Sequence, residues 1–123
     1  MNERMQTKVV GMHLEEGFLL TPQLLEAEIV KRKREGGNVK GFLYCNPNNP
    51  PGLVYPRQLA VELMEVCKSQ KVRRSLHQTN SKHPQVHFIA DEIYALSVFD
   101  SSTNFSSVLS HPMEKVWSGM WDT

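Results

Sequence analysis

The chain has 123 residues, 40% of them hydrophobic and 22% charged, which fits one small domain or part of a larger one and excludes a disordered chain. Its formal charge of +1 gives no electrostatic case for nucleic acid. No apolar stretch approaches the roughly twenty residues that cross a bilayer, and Met1 to Lys8 lacks the apolar core of a signal peptide.

In chain order, the apolar run Val9–Leu14, interrupted by His13, is expected as a short strand. Thr21-Pro22 then opens a helix. Threonine accepts the first free amides, and proline suits a first turn that needs no donor. Leu24, Leu25 and Ile29 continue it, and Lys31 to Arg34 fill its last turns, where positive charge complements the helix dipole. Gly36-Gly37 ends it.

Val39–Cys45 is short, aromatic and mostly apolar, and reads as a buried strand. Asn46-Pro47-Asn48-Asn49-Pro50-Pro51-Gly52 follows, a loop that can continue neither a ladder nor a helix, with Asn46 and Asn49 restricted by the prolines after them. Pro56 is expected at the first turn of a second helix. Leu59, Leu63, Val66 and Cys67 lie on one face of it, against the sheet. The polar stretch up to Gln85 reads as a long exposed loop, and Val86–Ala90 as a second strand. Strand, helix and strand make one βαβ unit, for which a right-handed crossover is the rule. After Tyr94 come a loop through Ser101–Ser107, a stub of helix or turn at Val108-Leu109, and a tail without clear pattern.

Parallel strands would bring the asparagine–proline loop and Asp91-Glu92-Ile93-Tyr94 to the same sheet edge, where open α/β sheets bind ligands. A carboxylate at a strand end is partly desolvated and favours a cationic partner. Asn49 offers a donor and an acceptor, and Tyr94 a phenol. Together these residues suit an aromatic nitrogen heterocycle carrying a hydroxyl, although each alone has a plain structural reading. Asp91-Glu92 also resembles the acidic strand end of a nucleotide hydrolase, but no glycine-rich phosphate loop accompanies it. His77, His83 and His87 have no ligand-spaced partners for zinc, and no Gly-x-Ser-x-Gly elbow exists for a serine hydrolase. Cys45 and Cys67 follow no metal or redox spacing and are expected as buried free thiols, with a reducing, cytoplasmic setting as the default.

The two motifs resemble those of the pyridoxal-phosphate enzymes of aminotransferase class I and II. The segment Asp91 to Phe99 with Ser107-Val108-Leu109-Ser110 is similar to the animal 1-aminocyclopropane-1-carboxylate synthase-like proteins. The resemblance implies an α/β fold, a fragment of a doubly wound, mostly parallel sheet. It places a partial large domain at residues 1–110, with an insertion at 70–85, and a divergent tail at 111–123.

The resemblance also assigns roles. Asp91 would pair with the pyridine nitrogen of pyridoxal 5′-phosphate, and Asn49 and Tyr94 would hydrogen-bond its phenolic oxygen. The implied chemistry is transamination or a synthase-type lyase reaction on an amino acid, in a homodimer or a dimer with a paralogue. Neither nucleic acid nor membrane is an implied partner. The family's Schiff-base lysine follows the tyrosine in a Ser-x-Ser-Lys-like motif. Lys115 lacks that context and Ser81-Lys82 precedes Asp91, so no catalytic residue is assigned. The expectation is a truncated chain, inactive alone. The alternative expectation is a non-catalytic chain that binds a full-length paralogue.

Overall fold

The computed structural model describes residues 7–14, 17–70, 86–100 and 102–112. The expected insertion, apart from Gln70, and the tail beyond Pro112 lie outside the described residues, as do His77, Ser81-Lys82, His83 and Lys115.

Helix α1 runs Pro22–Arg34, with Thr21 Oγ1 accepting the Leu24 amide at 3.2 Å, as the sequence predicts. It ends where Gly36 takes a φ of 87° and the Gly37 amide reaches back to the Arg32 carbonyl at 2.8 Å. A side chain on Gly37 would meet that same carbonyl oxygen at 2.9 Å, so glycine closes the helix for reasons of space as well as conformation. Arg32 pairs with Glu28 one turn earlier, a half-exposed (i, i+4) ion pair worth ~0.3–0.5 kcal/mol.

Strands β1 (Gly41–Cys45) and β2 (His87–Asp91) pair in parallel, from Gly41 opposite His87 to Cys45 opposite Asp91. Helix α2 (Arg57–Ser69) connects them, completing the expected βαβ unit. It packs on β2, and α1 packs on α2. The core is drawn from both helices and the sheet: Leu25 and Ile29 of α1, Ala60, Leu63, Met64 and Cys67 of α2, and Tyr44 of β1 with Val86. The Tyr44 and Phe88 rings lie 5.4 Å apart, tilted, beneath the helices.

Several expectations need correction. Val9–Leu14 forms no strand; Val9 and Val10 face solvent, and only Met12 and Leu14 pack on the core. Pro56 is the residue before α2 rather than its first, with extended backbone at ψ 146°. The first strand begins at Gly41, two residues later than the apolar run. Nor is it buried throughout. Leu43 and Ile89 point away from the helices and are 54% and 53% exposed. A parallel sheet ordinarily has both faces covered. The described residues supply one layer, and a doubly wound arrangement is not formed among them.

Both cysteines are free, as expected, but only Cys67 is buried, while Cys45 is half-buried with its thiol 3.3 Å from the Pro47 carbonyl. Burial pushes the Cys67 thiol from 9.0 up to about 12. At pH 8 its thiolate population is therefore lower by about a thousandfold than that of an ordinary cysteine. Brief alkylation of the native chain should label Cys45 well before Cys67, and denaturant should remove the difference. Mass spectrometry of the labelled peptides reads the result; equal native labelling would contradict the packing of α2.

Candidate functional site

The loop after β1 is held by its own side chains. Asn46 is buried, and its Oδ1 accepts the Tyr55 amide at 2.8 Å while its own amide donates to the Asp91 carbonyl at 3.0 Å. One residue thereby joins the loop's two ends to the last residue of β2. Within the loop, the Asn48 amide donates to the Leu53 carbonyl and the Gly52 amide to the Asn48 carbonyl, at 2.7 and 2.8 Å. Both Asn46-Pro47 and Asn49-Pro50 are cis. The Tyr55 hydroxyl accepts from Asn48 Nδ2 at 3.0 Å and donates to the Phe18 carbonyl at 2.9 Å, which ties the segment before α1 to the same loop.

This bracing presents Asn49 outward, where its Nδ2 donates to the Tyr94 hydroxyl at 3.1 Å, across 45 residues of sequence. The structure thus brings together two of the three predicted site residues. Tyr94 lies in the turn that follows β2, just before the 3-10 turn Ala95–Ser97. Asp91 is the last residue of β2 and half-buried; its Oδ1 accepts the Ile93 amide at 3.2 Å, fixing the direction in which the chain leaves the strand. The next residue, Glu92, turns its carboxylate to the Val108 amide at 2.7 Å.

A cleft of about 420 Å³ opens beside the Asn49–Tyr94 pair, with Val54, Val98, Phe99, Asp100 and Thr103 on its walls. Neither Asp91 nor any lysine or arginine is among its described lining residues. Asp100 is the one ionised group among its described lining residues, held below the usual carboxylate range by hydrogen bonds from the Ser102 amide and hydroxyl. A second opening, about 750 Å³, lies on the other side of Asn49, against Met12, His13, Leu14 and Phe18. Asn49 therefore stands between two spaces.

The hydrogen-bonding inventory suits a hydroxypyridine. Having accepted from Asn49, the Tyr94 hydroxyl still has its proton to give, and Asn49 has a second amide hydrogen. An anionic phenolic oxygen can accept from two such donors. Asp91 keeps Oδ2 available for a cationic N–H, with no hydrogen-bond partner for it among the described residues. No group of histidines, cysteines and carboxylates that could hold a metal ion occurs among the described residues. His87 is exposed on β2.

Reasoning from the sequence missed Asn46, Asn48 and Tyr55 as the braces of this loop. Their side-chain partners lie up to 37 residues away, and only the clustering of asparagines between prolines hinted at a rigid turn.

The family described as "Aminotransferase class I and II" matches residues 2–120. The bifunctional aspartate aminotransferase and glutamate/aspartate-prephenate aminotransferase of Petunia hybrida is 32% identical over 93% of this chain and 18% of its own length. The human 1-aminocyclopropane-1-carboxylate synthase-like protein 1 is 37% identical over 76% of the chain and 16% of its own length. The human protein named "Probable inactive 1-aminocyclopropane-1-carboxylate synthase-like protein 2" is 36% identical over 76% of the chain and 14% of its own length. The chain thus spans less than a fifth of each of these relatives. No solved structure matches it. The family expected from the two motifs is the one found: this chain belongs to the aminotransferase class I and II family, whose members depend on pyridoxal phosphate.

Proposed function

We propose that this chain supplies the ring-holding part of a pyridoxal-phosphate site in a protein of amino-acid metabolism. The observation that carries the reading is the Asn49–Tyr94 hydrogen bond at the sheet edge where Asp91 ends β2. Bound there, the cofactor supplies an electron sink for carbanion chemistry at the α-carbon of an amino acid. The chain's own residues have narrower tasks. Asp91 keeps a proton on the pyridine nitrogen, and Asn49 and Tyr94 donate to the phenolic oxygen, fixing the ring's orientation. No described residue lining the cleft offers a positive charge to the phosphate. Transamination and a synthase-type lyase reaction are both compatible with these tasks, and the relatives carry names of both kinds.

A spectroscopic titration tests the reading. Addition of pyridoxal 5′-phosphate to the chain should give a saturable change in ring absorbance that is lost in the double variant N49A/Y94F. A change that is unsaturable, or unaffected by those substitutions, would mean that aldehyde chemistry at scattered lysines is being observed.

A second reading is favoured by the open face of the sheet. Leu43 and Ile89 are each more than half exposed on a surface that parallel sheets normally cover. On this reading the chain is non-catalytic and pairs with a full-length family member. Sedimentation of the chain with a full-length synthase-like protein distinguishes the two: a chain that stays monomeric beside it removes the second reading.

A further inference from the structure

Behind the ring site lies a contact that the cofactor reading does not use. His111 is only 6% exposed. Its Nδ1 accepts a hydrogen bond from Arg57 Nε at 3.0 Å, and the same guanidinium donates to the Ser110 carbonyl at 2.9 Å. A neutral imidazole carries one proton, so a ring accepting at Nδ1 bears that proton on Nε2. Nε2 is buried and has no partner among the described residues. The remainder of this segment is fastened nearby. Glu92 accepts the Val108 amide, Val108 is buried in the core, and the His111 amide donates to the Val108 carbonyl at 3.2 Å. Residues 106–112 are thus a strap fixed at one point to the end of β2 and at another to the first residue of α2.

We propose that the Arg57–His111 contact is a proton-operated latch: neutral His111 holds the strap against α2, and protonation of the ring releases it. The geometry allows no other protonation state for the closed form. A second proton would enter at Nδ1 and point at Arg57 Nε–H, leaving donor against donor and cation against cation at the same 3.0 Å. Three influences act on the ring. Burial disfavours the imidazolium most, the Arg57 charge from α2 disfavours it as well, and the Glu92 carboxylate beyond β2 opposes them. Their sum holds His111 below its ordinary value of 6.5.

The sign follows from linkage. The released ring binds its proton near 6.5 and the latched ring only at lower pH, so the latch is at full strength above 6.5 and weakens as pH falls towards the latched value. Between those two values opening takes up one proton, so the opening equilibrium rises by up to about tenfold per unit fall in pH. Because Glu92 adjoins Asp91, opening would loosen the wall behind the ring site, but the latch itself does not depend on any cofactor.

Nuclear magnetic resonance on the isotopically labelled 123-residue chain tests it. The His111 ring titration and the exchange protection of the Val108 amide are followed together. His111 is expected to titrate below 6.5, with Val108 protection falling by up to about tenfold per pH unit across that interval. H111Q should remove the pH dependence of Val108, and R57Q should raise the His111 midpoint, which a purely structural role for Arg57 would not do. Val108 protection that ignores the His111 titration, or a midpoint at or above 6.5, overturns the latch. The wild-type profile alone decides the matter should H111Q fail to fold.

Discussion

Replacing Asp91 with asparagine should weaken binding of pyridoxine 5′-phosphate by about ten- to a hundredfold, the equivalent of the roughly 1.5–3 kcal/mol that a hydrogen bond to a charged group contributes. The substitution is chosen because it leaves the local fold in place. Asparagine can still accept the Ile93 amide through Oδ1, as Asp91 does at 3.2 Å, so the exit from β2 is preserved. What disappears is the negative charge that makes protonation of a pyridine nitrogen favourable. Pyridoxine 5′-phosphate carries no aldehyde, so its affinity reports ring recognition without any covalent capture by lysines. Calorimetric titration of wild type and D91N gives the ratio. Equal affinities would show that Asp91 is only the cap of a turn.

The second large effect concerns the scaffold. Leu63 is 0% exposed on the inner face of α2, within the core. Truncation to alanine removes three carbons from a site that cannot collapse fully, at a cost of about 2–5 kcal/mol. Whole domains are commonly stable by only about 5–15 kcal/mol, so L63A should shift a urea midpoint far or leave the chain unfolded. L96A is the matching control. Leu96 is 100% exposed in the turn after Tyr94, and its truncation should change stability by no more than about 0.5 kcal/mol. A similar loss for both variants would mean that α2 does not pack on the sheet as described.

The elements that the sequence reveals are those specified locally. Thr21-Pro22 and Gly36-Gly37 delimit α1 because capping is a short-range interaction, and of the face expected for α2 Leu63 and Cys67 are buried, while Leu59 and Val66 are half-buried and Ala60 and Met64 complete the buried face. The Asn49–Tyr94 encounter was legible for a different reason. A strand, a helix and a parallel strand necessarily return the chain to the same edge. The failures share the opposite cause. Val9 and Val10 are apolar, but strand formation needs a neighbour to pair with, and those residues have none among the described residues. The exposure of Leu43 and Ile89 cannot be deduced from apolar runs, which record what a strand is suited to meet and not what is there to meet it. The Tyr55–Phe18 and Arg57–His111 contacts join residues 37 and 54 positions apart, with no periodicity to announce them.

The central claim is that Asn49, Asp91 and Tyr94 act together on a hydroxypyridine ring. Its most direct test is a two-dimensional spectrum that resolves the Asn49 side-chain amide during titration with pyridoxine 5′-phosphate. The account predicts a saturable shift of the Asn49 Nδ2 hydrogens and of the Asp91 and Tyr94 amides, with the same apparent affinity at all three, and loss of the Asn49 shift in Y94F. Shifts confined to other parts of the chain, or an Asn49 side chain that stays unmoved at saturation, would contradict it.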